Sequence, residues 1–242
     1  MPSKNYFALI TGASSGIGRA IAIELASHDI SLVLLGRNPE RLERTKSECL
    51  MMASEAINVL TVLGDLRDDE YIQRVVNTIE QHVVSLNYLI HAAGVNVKAN
   101  LLEKPDLRDI EALIQTNLIS VMKLTQLCVP SILQSSQNRN IIFISSQSGK
   151  NTYSSGAAYC ASKFGLQGYS QCVFEDLREE HVKITSICPG YVATPMISNR
   201  SQLNVKKMID PNDIAKLVWN LCNWPISSCP TNIDLRPQYS CK

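Results

Sequence analysis

Thr11-Gly12-Ala13-Ser14-Ser15-Gly16-Ile17-Gly18 is the stretch on which the reading of this chain turns. It joins a strand-like run, residues 6–11, to a helical one, residues 17–27. Glycines allow a tight turn and let backbone come close to a bound group. The helix start beyond them offers free N–H groups and a positive dipole end, the setting an anionic phosphate needs. The spacing is G-x-x-x-G-x-G rather than the more familiar G-x-G-x-x-G. The strand before it and the helix after it point to a nucleotide phosphate. Gly12, Ser14, Ser15, Gly16, Ile17 and Gly18 are the candidate phosphate-binding residues.

Outward from this turn the pattern repeats. Further strand-like runs cover residues 31–35, 57–63, 86–91, 140–145, 182–188 and 231–235. Between them, residues 39–53, 69–83, 107–133, 157–180 and 211–222 carry helical periodicity. Leu32-Val33-Leu34-Leu35 and Ile141-Ile142-Phe143-Ile144 are apolar on both faces. Such strands belong between two helical layers, so the expected fold is α/β, a doubly wound parallel sheet with helices on both faces. At 242 residues without linker or repeat, a single domain is expected over 1–242. Residues 190–209 lack a clear period and leave the end of a strand, the place where ligands bind in open α/β sheets. They are expected to form a substrate lid.

Composition narrows the function. Lys and Arg number 23 against 22 Asp and Glu, interspersed, so no field favours nucleic acid or an anionic membrane surface. No uninterrupted apolar run nears the ~18 residues of a membrane span. The N-terminus has no signal-like pattern, and a cytoplasmic location is expected. The eight cysteines are scattered without a C-x-x-C pair, as for buried reduced thiols, and the four histidines suggest no metal cluster.

The second strand ends Leu35-Gly36-Arg37-Asn38. NAD-binding proteins place an acid here for the ribose 2′-hydroxyl, whereas an arginine accommodates a 2′-phosphate. With Gly36 at the acid's position and Arg37 beside it, NADP(H) is expected rather than NAD(H).

Tyr159 has Lys163 four residues later, on the same face of a helix. A phenol, with an ordinary pKa of about 10, is a weak acid–base group at neutral pH. An adjacent ammonium favours the phenolate and makes tyrosine usable for proton transfer. Ser145, Ser146 and Ser148 lie at the end of the strand-like run before it, where a hydroxyl can hold a substrate oxygen. The residues alone leave open which of the three does so.

Taken together, T-G-x-x-x-G-I-G at residues 11–18, Asp65-Leu66, Ala92-Ala93-Gly94, Asn117, Ser146, Tyr159 with Lys163, and Pro189-Gly190 resemble the short-chain dehydrogenase/reductase family. The resemblance spans nearly the whole chain. It implies a Rossmann-type, mostly parallel sheet of seven strands and hydride transfer between a nicotinamide and a small carbonyl or alcohol substrate. Tyr159 would be the general acid–base, Ser146 would hold the substrate oxygen, and Lys163 would support Tyr159 and bind the nicotinamide ribose. Asn117 would anchor a water linking Lys163 to a proton relay. Asp65 and Leu66 would meet the adenine, Ala93 and Gly94 would line the cofactor site, and Pro189, Gly190, Val192 and Thr194 would border the nicotinamide. Homodimers or homotetramers through the two long helices are also implied.

One departure is His91, where the family's pattern has an asparagine tying neighbouring strands; a neutral imidazole can donate and accept there, so a structural substitution is expected. Two other readings stand beside the enzyme: a catalytically silent NADP(H)-binding sensor or scaffold, and a 3-oxoacyl-carrier-protein reductase with Arg200, Lys206 and Lys207 as docking charges.

Overall fold

Strands buried on both faces build the sheet. In the computed structural model, which describes residues 6–97, 106–197 and 203–241, seven runs become β1 (Phe7–Thr11), β2 (Ser31–Gly36), β3 (Val59–Leu63), β4 (Tyr88–His91), β5 (Asn140–Ile144), β6 (Lys183–Pro189) and β7 (Asn232–Leu235). They form one parallel sheet in the order β3-β2-β1-β4-β5-β6-β7. Ala8, Ile10, Leu32, Leu34, Ile142 and Ile144 face one core, shared with Ala22 and Leu25 of α1 (Gly16–Ala26) and Ile214 and Val218 of α7 (Pro211–Cys222). Leu9, Val33, Leu35, Ile141 and Phe143 face the other. That core also takes Ile72 and Val75 of α3 (Asp69–His82), Leu124 and Cys128 of α5 (Ser120–Gln134), and Leu166 and Val173 of α6 (Ala157–Leu177). Each fully buried Leu or Ile stabilises the fold by roughly 1.5–3 kcal/mol over an exposed one, so both faces are needed to hold the layers.

Helix starts follow local chemistry. Asn38 caps α2 (Pro39–Met52), Asp68 caps α3, Asp106 caps α4 (Leu107–Ile114) and Asp210 caps α7, each accepting from a first-turn N–H. At α1, Ser15 makes no such side-chain bond, which leaves the first-turn donors to something else.

The expected single helix over residues 107–133 is not continuous α-helix. A π-turn, Gln115–Ile119, separates α4 from α5. It carries Asn117, whose side chain is bound to residues outside the helix (below), a constraint that apolar spacing does not reveal. Pro130 sits inside α5 without ending it. The whole run Leu107–Gln134 is long and apolar enough by composition to cross a bilayer, and 44% of its apolar window is buried within the domain. The described cysteines are all free: Cys172 is exposed, Cys229 partly so, and the other six are buried.

The order reverses beside β1, whose neighbours β2 and β4 lead away in opposite directions. A crevice therefore opens over the carboxyl ends of the strands at that point.

Candidate active site

A cleft of about 920 Å³ occupies this crevice. At its floor the turn after β1 is fixed by its own geometry. Gly12 has φ +70°, and a Cβ there would stand 2.8 Å from the Ala93 Cα. A Cβ on Gly18 would stand 2.5 Å from the Gly12 carbonyl oxygen. Neither position tolerates a side chain without shifting backbone. Thr11 ties this turn to the end of β4: its Oγ1 accepts from the Ala92 and Ala93 N–H groups, at 3.0 Å each.

Arg37 and Asp65 stand at the ends of β2 and β3. Asp65 is gripped at two points by Arg67, with Nη2 to Oδ2 at 2.7 Å and Nε to Oδ1 at 3.1 Å. Arg37 Nη1 lies 3.6 Å from Asp65 Oδ2. The Arg67 guanidinium holds the Asp65 carboxyl at about 2, below the usual carboxylate range. Arg67 was missed by sequence reading; its place two residues from Asp65 was the available signal.

Across the cleft, Tyr159 and Lys163 rise from successive turns at the start of α6. Tyr159 packs with Leu113 and Ala158. Lys163 is buried, its Nζ 5.9 Å from the Tyr159 ring centre and donating to the Ile144 carbonyl at 2.9 Å. Burial pushes the Lys163 ammonium down to about 8. Ser146 caps a short turn, Gln147–Gly149, its Oγ accepting from the Ser148 N–H at 3.1 Å. All three candidate serines border the cleft. Ser145, however, is buried beneath Gly149, and its Oγ has no hydrogen-bond partner among the described residues.

The cleft wall includes Gly12, Ser14, Ser15, Gly16, Ile17, Arg37, Asp65, Leu66, Ala93, Gly94, Ser146, Tyr159, Lys163, Pro189, Gly190, Val192 and Thr194. Two expected residues lie behind it instead. Gly18 is packed against Gly12. Asn117 is buried, its Oδ1 accepting from Val95 N–H at 2.8 Å and its Nδ2 donating to the Val95 carbonyl at 2.9 Å and to Ser162 Oγ at 3.1 Å. With both ends of the amide engaged, it binds the segment after β4 to the residue next to Lys163. Of the expected lid, residues 198–202, Arg200 among them, lie outside the described residues. Tyr191, Met196 and Ile197 border the cleft, as do Asn96, Tyr153 and Arg236, which sequence reading did not single out. The rule that ligands gather beyond strand ends was the signal available for Arg236.

His91 is buried away from this chemistry. Its Nε2 pairs with Thr125 Oγ1 at 2.9 Å and its ring stacks on Phe143 at 5.3 Å. Desolvation pushes its pKa down to about 3, so the ring is neutral. It joins β4 to α5, while Thr11 supplies the tie between strands.

The short chain dehydrogenase family model matches residues 6–204. The chain belongs to the short-chain dehydrogenase family. It is therefore an oxidoreductase. An uncharacterized oxidoreductase of Staphylococcus saprophyticus is 30% identical over 95% of this chain and 96% of its own. Sulfoacetaldehyde reductase 2 of Chromohalobacter salexigens is 30% identical over 77% of this chain and 72% of its own. A short chain dehydrogenase of Escherichia coli, solved in complex with NADPH, superposes with a TM-score of 0.84 at 27% identity, covering 95% of each chain.

Proposed function

We propose that this chain is an NADP(H)-dependent oxidoreductase that interconverts a small carbonyl compound and its alcohol, with Tyr159 as the general acid–base. The observation that carries this reading is the buried Lys163 ammonium beside Tyr159, with Ser146 on the same wall and an uncapped helix start at the cleft floor.

The residues fit the cofactor. The N-terminal turn of α1 has spare donors for a pyrophosphate, and the floor admits no Cβ at Gly12. Arg37 beside Gly36 suits a 2′-phosphate, and the Escherichia coli relative was solved with NADPH. Pro189, Gly190, Val192 and Thr194 would border the nicotinamide, and Lys163 the adjoining ribose. When bound, NADPH would supply the hydride.

This chain's own residues manage the substrate oxygen. The Ser146 hydroxyl donates to the carbonyl oxygen and orients it. Tyr159 delivers the proton that turns this oxygen into a hydroxyl, and the Lys163 ammonium steadies the phenolate left behind. Asn117 positions rather than transfers: both its amide hydrogens donate, and its oxygen accepts, within the protein. Tyr191, Met196 and Ile197, from the first part of the expected lid, limit water at the reacting centre. A second copy would pack on α5 and α6, where Met122, Leu127 and Phe164 are exposed.

NADPH oxidation against a panel of aldehydes, ketones and oxo acids tests this reading, with Tyr159→Phe as control. Turnover by the wild type, and a variant that binds NADPH but is at least about 100-fold slower, is the expected result. NADPH binding by both with turnover by neither points to the silent sensor.

A further inference from the structure

We propose that Arg236 anchors a carboxylate or sulfonate on the substrate, so that the cleft takes short oxo acids and their hydroxy acids in preference to neutral ketones. The proposal rests on the oxidoreductase reading and adds to it the substrate class.

The charges on the cleft wall lead to it. Asp65 is the one carboxylate there among the described residues, and it stands at the β2–β3 end beside Arg37. The catalytic end carries Lys163, already committed to the Ile144 carbonyl, and Arg236. Neutral groups from Asn96, Tyr153, Tyr191 and Met196 make up the wall around them. A substrate with a negative end therefore meets a cation here and no competing acid.

The backbone at Arg236 is restrained, and its side chain is not neutralised. The backbone before it is pinned where the Gly190 N–H donates to the Leu235 carbonyl at 2.8 Å. Pro237 follows, packed so closely on Gly190 that a Cβ there would stand 2.9 Å from Pro237 Cδ. Strand end and proline together restrict the backbone of the residue between them. Asp234, the nearest acid along the chain, is already occupied: its Oδ1 accepts from Lys150 Nζ at 2.7 Å and from Gln147 Nε2 at 3.2 Å. Arg236 itself makes no ion pair among the described residues. An exposed, unpaired guanidinium on a restrained backbone, beside the nicotinamide loop, matches a carboxylate or sulfonate, which it grips at two points. Bound this way, the anion fixes one end of a short chain while Ser146 and Tyr159 take the carbonyl at the other. Reduction then adds a hydride from NADPH to the carbonyl carbon and a proton to its oxygen, and the anion is unchanged.

The test uses matched pairs: pyruvate, acetoacetate and levulinate against their methyl esters, with acetonylsulfonate as the sulfonate arm. Wild type and Arg236→Met are compared, with Arg236→Lys as the conservative variant. The expected wild-type kcat/KM favours at least one acid over its ester by tenfold or more, chiefly through KM. Arg236→Met should lose about 30-fold or more on that acid and less than threefold on the ester, and Arg236→Lys should recover part of the loss. The KM for NADPH should stay within twofold. Equal treatment of acids and esters by the wild type overturns the proposal and leaves the oxidoreductase reading standing, as does an equal loss on both or a raised KM for NADPH. If no carbonyl compound of any class supports NADPH oxidation, the oxidoreductase reading falls and takes this proposal with it.

Discussion

At the β2–β3 end of the cleft, Asp65 sits in a two-point grip from Arg67 with Arg37 at 3.6 Å, and the Arg37 and Arg67 side chains are 59% and 43% exposed. At the β5–α6 end, Lys163 is 4% exposed and has a carbonyl rather than a carboxylate as its acceptor. The first arrangement is inexpensive, because exposed ion pairs contribute about 0–1 kcal/mol and rearrange freely. The second is costly, because a buried ammonium without a counter-charge resists its own ionisation. Charge that only has to recognise a ligand can stay in water. On the proposed reading, charge that has to act on a neighbouring proton is taken out of it.

Lys163→Met strikes hardest at this contrast. Turnover should fall by about 10²–10⁴-fold, while the folded protein at neutral pH becomes more stable by on the order of 1–3 kcal/mol. The sign follows from the lowered folded value of about 8 against the ordinary 10.5. Below 8 the lysine is charged whether folded or unfolded, and its desolvation cost is fully present. Between 8 and 10.5 the folded chain sheds the proton first, so wild-type stability rises with pH and the gap to the variant closes. Denaturant unfolding across that range checks it; a gap that does not narrow removes the idea of a strained lysine.

Arg37→Leu comes next. The ratio of kcat/KM with NADPH to that with NADH should drop about 10–100-fold, with little change in the NADH value. An unchanged ratio assigns the 2′-phosphate to another group. A smaller effect is expected from His91→Asn. The folded His91 value of about 3 lies below the ordinary 6.5, so its contribution is complete above 6.5 and drains away as pH falls toward 3. At about pH 5 the wild type should have lost on the order of 1–2 kcal/mol more than the variant, each measured against its own neutral-pH stability. Equal acid slopes would mean that His91 is not held neutral. Least affected is Asp65→Asn: its ion pairs are exposed, so stability should move by less than about 1 kcal/mol and the KM for NADPH by less than threefold. A tenfold change would show that the cofactor needs the charge of this carboxylate and not only an acceptor oxygen.

The layered sheet was legible in the sequence because strand parity sorts residues between two cores, as Leu32 and Leu34 against Val33 and Leu35. The phosphate turn was legible for a similar reason, its constraints being local. The strand-like runs starting at residues 57 and 86 proved two residues too long at their starts, since β3 begins at Val59 and β4 at Tyr88. There Ile57 and Leu86 carry the apolar pattern back past Asn58 and Asn87, whose backbone groups still bond to the neighbouring strands. The π-turn was invisible, since the groups that bind Asn117, Val95 and Ser162, are distant in sequence. Asn96 and Tyr153 were equally out of reach, because separate loops bring them to one wall, whereas Arg236 directly follows a strand end.

That π-turn sets a limit on how this helix can change. Each residue in an α-helix advances about 100°, so the wider turn at Gln115–Ile119 puts the two halves out of step. Before it, Leu113 faces Tyr159; after it, Leu124 and Cys128 face the sheet. Deleting one residue there would heal the helix and strengthen its hydrogen-bond ladder, yet it would swing Leu113 and its neighbours away from α6. The defect is a phase shifter, and a repaired helix would be a better helix attached to a misaligned site.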